Sequence, residues 1–180
     1  VGSCTTQGAD DLAGAVAVAG ANIYVVGTMF TTGGDSNAFV THLSTANGNP
    51  AIQAYRNLGA SAGTGVALDN STVLVVGNAL VGDPLATGVT VNGFATSVGA
   101  HDSGFVVRLQ RVKALTSSWG TYFGATNARV EANAIARNPG SSAFAIVGTV
   151  TCEQGTNCAT GFTTRGAAQP NFGGGDSDAF

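Results

Sequence analysis

The feature that most constrains this chain is a pair of blocks that recur three times in the same order. One is an apolar run ending in Val-Gly: Ile23-Tyr-Val-Val-Gly27-Thr28, Val73-Leu-Val-Val-Gly77-Asn78 and Phe144-Ala-Ile-Val-Gly148-Thr149. The other is a Gly/Asp turn that runs into phenylalanine: Gly33–Phe39, Gly99–Phe105 and Gly174–Phe180, with the phenylalanines 66 and 75 residues apart. A long fixed-order repeat means supersecondary units that stack on one another, because no single unit buries its apolar face alone. Weaker blocks keep the same frame. Val1-Gly2, Leu58-Gly59-Ala60 and Phe123-Gly124-Ala125 hold one position, and Val16-Ala17-Val18, Val66-Ala67-Leu68 and Ile135-Ala136-Arg137 hold the next.

Each unit reads as four strands. The first is Phe39–Leu43 or Phe105–Leu109, and the second is Ile52–Leu58 or Ser118–Phe123. The third carries the Val-Ala-Val alternation and the fourth ends in Val-Gly, with tight hairpin turns between them at Ala19–Asn22 and Asp69–Thr72. Ala128–Arg137 has the propensity of a helix. Its counterparts contain Gly14, Gly63 and Gly65 within strict alternation, so the repeat frame predicts a strand. The fold class is therefore all-β. Short strands, small residues and a glycine at each strand end suggest four-stranded antiparallel blades stacked as a β-propeller or an open propeller-like array, incomplete at both ends. Leu80–Val98 and Val150–Gly173 read as loops on one rim. The unit frame gives 1–38 as a partial blade, 39–104 and 105–178 as complete repeats, and 179–180 as the start of another. Either further blades of a longer chain or other copies of this one would complete the array.

Composition agrees with this reading. Charged residues make up 9% of the chain, against about 25% in a typical soluble domain. The net charge of −3 argues against a nucleic-acid partner, and no apolar run is long enough for a membrane-spanning helix.

The run Gly174-Gly175-Asp176-Ser177-Asp178-Ala179-Phe180, the Tyr122-Phe123-Gly124 element and the Val-Gly-Thr strand ends resemble the bacterial SBBP-type β-propeller repeat. The resemblance covers most of the chain apart from the rim segments. It implies a propeller, secreted or attached to the cell surface, and it brings no shared catalytic residues.

Candidate chemistry is sparse. Cys152 and Cys158 lie six apart in a Gly/Thr/Asn-rich segment and read as a disulfide-closed loop of an oxidising compartment, with two free thiols as the alternative; Cys4 has no assigned partner. Asp35 with Asn37, and Asp176 with Asp178, space oxygen ligands two apart beside glycines, as calcium loops do. The competing reading is an Asx turn ahead of the phenylalanine strand, and no other cofactor is indicated. His42 shares a repeat position with Arg108, which suggests a solvated strand face, and His101 sits in a turn. Arg108, Arg111 and Lys113 read as a solvated hairpin. Trp119 and Tyr122 fall on opposite faces of one strand, which suits blade packing better than the alternative, a sugar-stacking platform. Asp69, Asp83 and Asp102 are the carboxylates available to a polysaccharide-acting enzyme. No nucleophile elbow or metalloprotease motif accompanies them. The expected function is a non-catalytic extracellular scaffold, binding glycan or surface protein through its rim loops. The alternatives are a self-assembling filament or surface-layer subunit, and a rim-loop enzyme.

Overall fold

The computed structural model describes residues 10–86, 91–92, 95, 97–111, 114–125, 127–138, 140–152, 168 and 171–180. It is all-β, with no helix among the described residues. Three antiparallel sheets follow one another along the chain. The first holds β1 (Asp11–Ala19), β2 (Asn22–Phe30), β3 (Ser36–Ser44) and β4 (Ala51–Gly59) in chain order. The second holds β5 (Ala62–Leu68), β6 (Thr72–Ala79), β7 (Ser103–Gln110) and β8 (Ser117–Phe123), again in chain order. The third has β9 (Ala128–Arg137), β10 (Phe144–Cys152) and β11 (Ser177–Ala179), with β10 in the middle.

The strand over Ala128–Arg137 is β9, so alternation prevails over helix propensity there. The two tight turns also form. Ala19 pairs with Asn22, and the Asp69 amide donates to the Thr72 carbonyl at 2.8 Å. The sheets differ in phase from the sequence units. Their breaks fall at Leu58-Gly59-Ala60 and Phe123-Gly124-Ala125 rather than ahead of Phe39 and Phe105. Periodicity sets the length of a unit but not its origin, and the first of the two weaker blocks proves to be the link between sheets.

The two strong blocks are cross-strand partners. Gly27 pairs with Phe39 and Gly77 with Phe105, while Gly148 and Phe180 exchange backbone hydrogen bonds of 3.1 Å. A bulge in the neighbouring first strand, at Gly14, Thr64 or Asn133, pushes a carbonyl toward each glycine. A Cβ built on Gly27, Gly77 or Gly148 would overlap the carbonyl oxygen of Leu12, Ala62 or Glu131, respectively. It would also lie 2.9, 2.7 or 2.6 Å from the ring of Phe39, Phe105 or Phe180. The phenylalanine thus covers a backbone that only glycine can present.

Successive sheets pack face to face. Tyr24, Val26, Val40 and Leu58 of the first sheet meet Val75, Phe105, Val107 and Tyr122 of the second in one core. Leu74, Val76, Val106 and Trp119 on the second sheet's other face meet Ala132, Ile135 and Ile146 of the third. Trp119 and Tyr122 accordingly serve the two different interfaces. Glycines let the first strands approach closely, since a Cβ on Gly14 would overlap the Gly63 carbonyl and one on Gly65 would stand 3.1 Å from the Ile135 nitrogen. β1 packs on β5 and β5 on β9, whereas β4 and β8 make no comparable contact with each other.

The rim-loop expectation is corrected in two places. Val150–Cys152 belongs to β10, where Val150 pairs with Val130, so that segment is strand rather than loop. Described parts of Leu80–Val98 lie along sheet edges. Leu85 bridges Gly59, and Ala95 bridges Tyr122. The Asn92 amide donates to the Gly120 carbonyl at 2.8 Å. These bonds cover part of the open edge of β8, which would otherwise offer unpaired backbone groups.

Candidate functional site

Two features stand out against this scaffold: a polar chain that crosses all three sheets near their hairpin turns, and an uncovered face on the first sheet. The polar chain starts at Asn22, whose Nδ2 donates to the Ala19 carbonyl at 3.4 Å. That turns Oδ1 toward His42 Nε2, 2.8 Å away, so Nε2 carries the proton and Nδ1 is the bare nitrogen. The His42 ring stacks on Tyr24 with centroids 4.6 Å apart. Arg111 Nε donates to the Tyr24 hydroxyl at 3.3 Å, and Arg111 Nη1 donates to the Asp69 carbonyl at 3.0 Å. Finally the Asp69 carboxylate pairs with Arg108 at 3.4 Å and with Arg137 of the third sheet at 3.0 Å.

This arrangement corrects two expectations. His42 and Arg108 do share a repeat position, but that position faces the next sheet. His42 is buried, not solvated. Arg108 and Arg111 are likewise tied into the inter-sheet contact rather than into a free hairpin; Lys113 lies outside the described residues. The partners come from β2, β3, the β5–β6 turn, β7 with the residue after it, and the end of β9, so alignment within a unit could not bring them together.

Burial pushes the His42 imidazole below its ordinary value, and the nearby Arg111 charge adds to this. A proton on Nδ1 would be buried with no acceptor. The unfolded chain therefore takes up a proton near pH 6.5 that the folded chain resists, and stability falls as pH drops through that region. Urea midpoints measured between pH 7.5 and 5.5 are expected to decline in the parent and to flatten in His42→Gln, which keeps an amide donor for Asn22. An unchanged slope in the variant would remove His42 as the cause.

The remaining candidates are placed as follows. Asp35 is exposed in the β2–β3 turn, and Asn37 lies in β3 opposite Met29. Asp176 precedes β11, and Asp178 Oδ2 accepts the amide of Gly173, five residues earlier, at 2.7 Å. Among the described residues no group of three or more His, Cys, Asp or Glu is placed to hold a metal ion. Cys152 is disulfide-bonded, and both other cysteines, Cys4 and Cys158, lie outside the described residues. Each of the three carboxylates considered for hydrolysis is engaged. Asp69 holds its two arginines, Asp83 accepts the Ser61 hydroxyl at 2.7 Å, and Asp102 pairs with Arg129 at 3.1 Å.

Among the described residues, no sheet covers the face of the first sheet that is turned away from the second. A groove of about 190 Å³ there is lined by Val25, Met29, Phe39, Leu43 and Tyr55, with Asp11 at its margin. Phe39 and Tyr55 stack at 6.0 Å, and the Tyr55 hydroxyl donates to the Met29 sulfur at 3.4 Å. Burial raises the Tyr55 hydroxyl above its ordinary value, and the Asp11 charge raises it further. The sequence reading did not single out this face. Its residues are ordinary strand hydrophobics, and only the absence of a sheet over them sets them apart.

The chain matches no protein-family model, and no curated protein matches it significantly. Among the described residues, no helix is long and apolar enough to cross a membrane.

Proposed function

We infer that this chain is a β-propeller-type repeat segment acting as a non-catalytic scaffold outside the cell. The observation that carries the reading is the pattern of inter-sheet contact. The first strands β1, β5 and β9 pack closely on one another in sequence. The last strands β4 and β8 approach less closely and meet through side chains, Leu58 with Tyr122 in the core and Arg56 Nη1 donating to the Leu115 carbonyl ahead of β8 at 2.9 Å. Sheets that lie closer together along one edge than along the other fan around an axis, as propeller blades do. The turn signature shared with SBBP-type repeats supports the same reading, and with it a secreted or surface-attached location. A scaffold role is supported by the engagement of Asp69, Asp83 and Asp102 in structural pairs. On such a scaffold, recognition of a glycan or surface protein belongs to the variable rim segments.

A turnover screen over polysaccharide and peptide substrates is expected to show no hydrolysis. Hydrolysis by the parent that disappears in Asp102→Asn would replace the scaffold reading with an enzymatic one.

A further inference from the structure

We propose that the uncovered face of the first sheet docks the uncovered face of the third sheet in a second copy of this chain. Among the described residues, every inter-sheet contact joins the same two kinds of face. Call the face carrying Val16, Val66 or Ile135 the front and the face carrying Val26, Val76 or Val147 the back. The back of the first sheet covers the front of the second, and the back of the second covers the front of the third. One front and one back remain, on the first and third sheets.

Exposure follows this rule position by position. Val16 on the uncovered front is 62% exposed, while its counterpart Val66 is 9% exposed under the first sheet. Val147 on the uncovered back is 51% exposed, while its counterparts Val26 and Val76 are 0%. The two surfaces also differ in relief, as they do inside the chain. The free front is a groove walled by Phe39, Leu43 and Tyr55. The free back is low where Ala134, Ala136, Ala145 and Val147 lie, all exposed, and carries the Arg129–Glu131 pair and Thr149 farther along the same face. A low surface of small residues can lie against a grooved aromatic one, which makes the contact continuous in kind with the two already present. The surfaces are different patches, so the contact is heterologous and must close or propagate. Two copies supply six sheets, within the roughly four to eight that close a propeller. Closure, though not docking itself, rests on the radial reading above.

The test is the mass in solution of the full 180-residue chain and of two variants, Val16→Asp on the front and Val147→Asp on the back. Both positions are exposed in a single copy, so circular dichroism is expected to be unchanged. The parent is expected at about 35 kDa, twice the 17.7 kDa of one chain. Each variant alone is expected to be a monomer, with self-association weakened at least about 100-fold by a carboxylate buried without a partner. Mixed, the two variants are expected to form a one-to-one pair, because each retains the face the other needs. A monomeric parent at high concentration would overturn the docking proposal and leave the fan of sheets within one chain untouched. Dimerisation of Val147→Asp by itself would show a front-to-front contact and overturn it as well. Open polymers of the parent would overturn closure and count against the radial reading.

Discussion

Replacing Gly77 with alanine is expected to lower stability by about 3 kcal/mol, the upper part of the range for overpacking a filled interior. The added methyl would overlap the Ala62 carbonyl and press on the Phe105 ring, which is fully buried between the first and second sheets. Neither obstacle can yield locally. The carbonyl is fixed by the bulge in β5, and the ring is wedged in the core. Gly99→Ala is the control, since nothing lies closer than 3.9 Å to a methyl at that position. It is expected to change stability by no more than about 0.5 kcal/mol. Urea midpoints of the two variants decide the matter. A loss below about 1 kcal/mol for Gly77→Ala would mean that the glycine, bulge and phenylalanine do not act as one unit. The same lock recurs at Gly27 and Gly148, so the repeated Val-Gly ending is explained by sterics rather than by flexibility.

Asp69→Asn is expected to cost about 2–3 kcal/mol, somewhat under the range for breaking a buried ion pair. Among the described residues, Asp69 is the one carboxylate that holds guanidinium groups from two sheets, and its pair with Arg137 is only 17% exposed on each side. The change keeps the shape of the side chain but leaves both cations without their counter-charge at the contact between the second and third sheets. Arg137 Nε already lacks a partner there. Asp102→Asn provides the contrast. Arg129 is 52% exposed and keeps Glu131 at 2.6 Å, so that change is expected to cost under about 1 kcal/mol. The Asp69 effect should persist at high salt, because screening acts weakly on buried pairs. Equal losses for the two variants would remove the distinction between an inter-sheet hub and a surface pair.

Strands and turns were legible in the sequence because they are local. Alternation and glycine placement in Ile23–Gly27 or Val73–Gly77 mark a strand regardless of what covers it, and even Ala128–Arg137 yielded once its counterparts were aligned. The pairing of the two strong blocks was hidden. Gly27 precedes Phe39 by 12 residues, but Gly77 precedes Phe105 by 28 and Gly148 precedes Phe180 by 32. The intervening segments vary too much for a fixed offset to appear. The polar chain was hidden for a related reason. Arg111 and Tyr24 are 87 residues apart, and Asp69 belongs to a turn that looks solvated until the third sheet is laid over it. His42 was misplaced because a position that accepts both His and Arg looks like surface. It lies instead on the face turned to the second sheet, stacked on Tyr24, whose hydroxyl Arg111 of the second sheet reaches. The uncovered front face had no local mark at all, since Val16 and Val66 read identically until one is buried and the other is not.

The account stands or falls on the fan of sheets, and paired spin-label distances between the first two sheets test it most directly. Labels at Ala21 and Asn70 report the inner turns, between β1 and β2 and between β5 and β6; labels at Asn47 and Ala114 report the outer turns, between β3 and β4 and between β7 and β8. A radial arrangement predicts that the outer pair is clearly farther apart than the inner pair. Equal separations would mean a parallel stack, and would contradict the propeller reading together with the closed six-sheet assembly built on it.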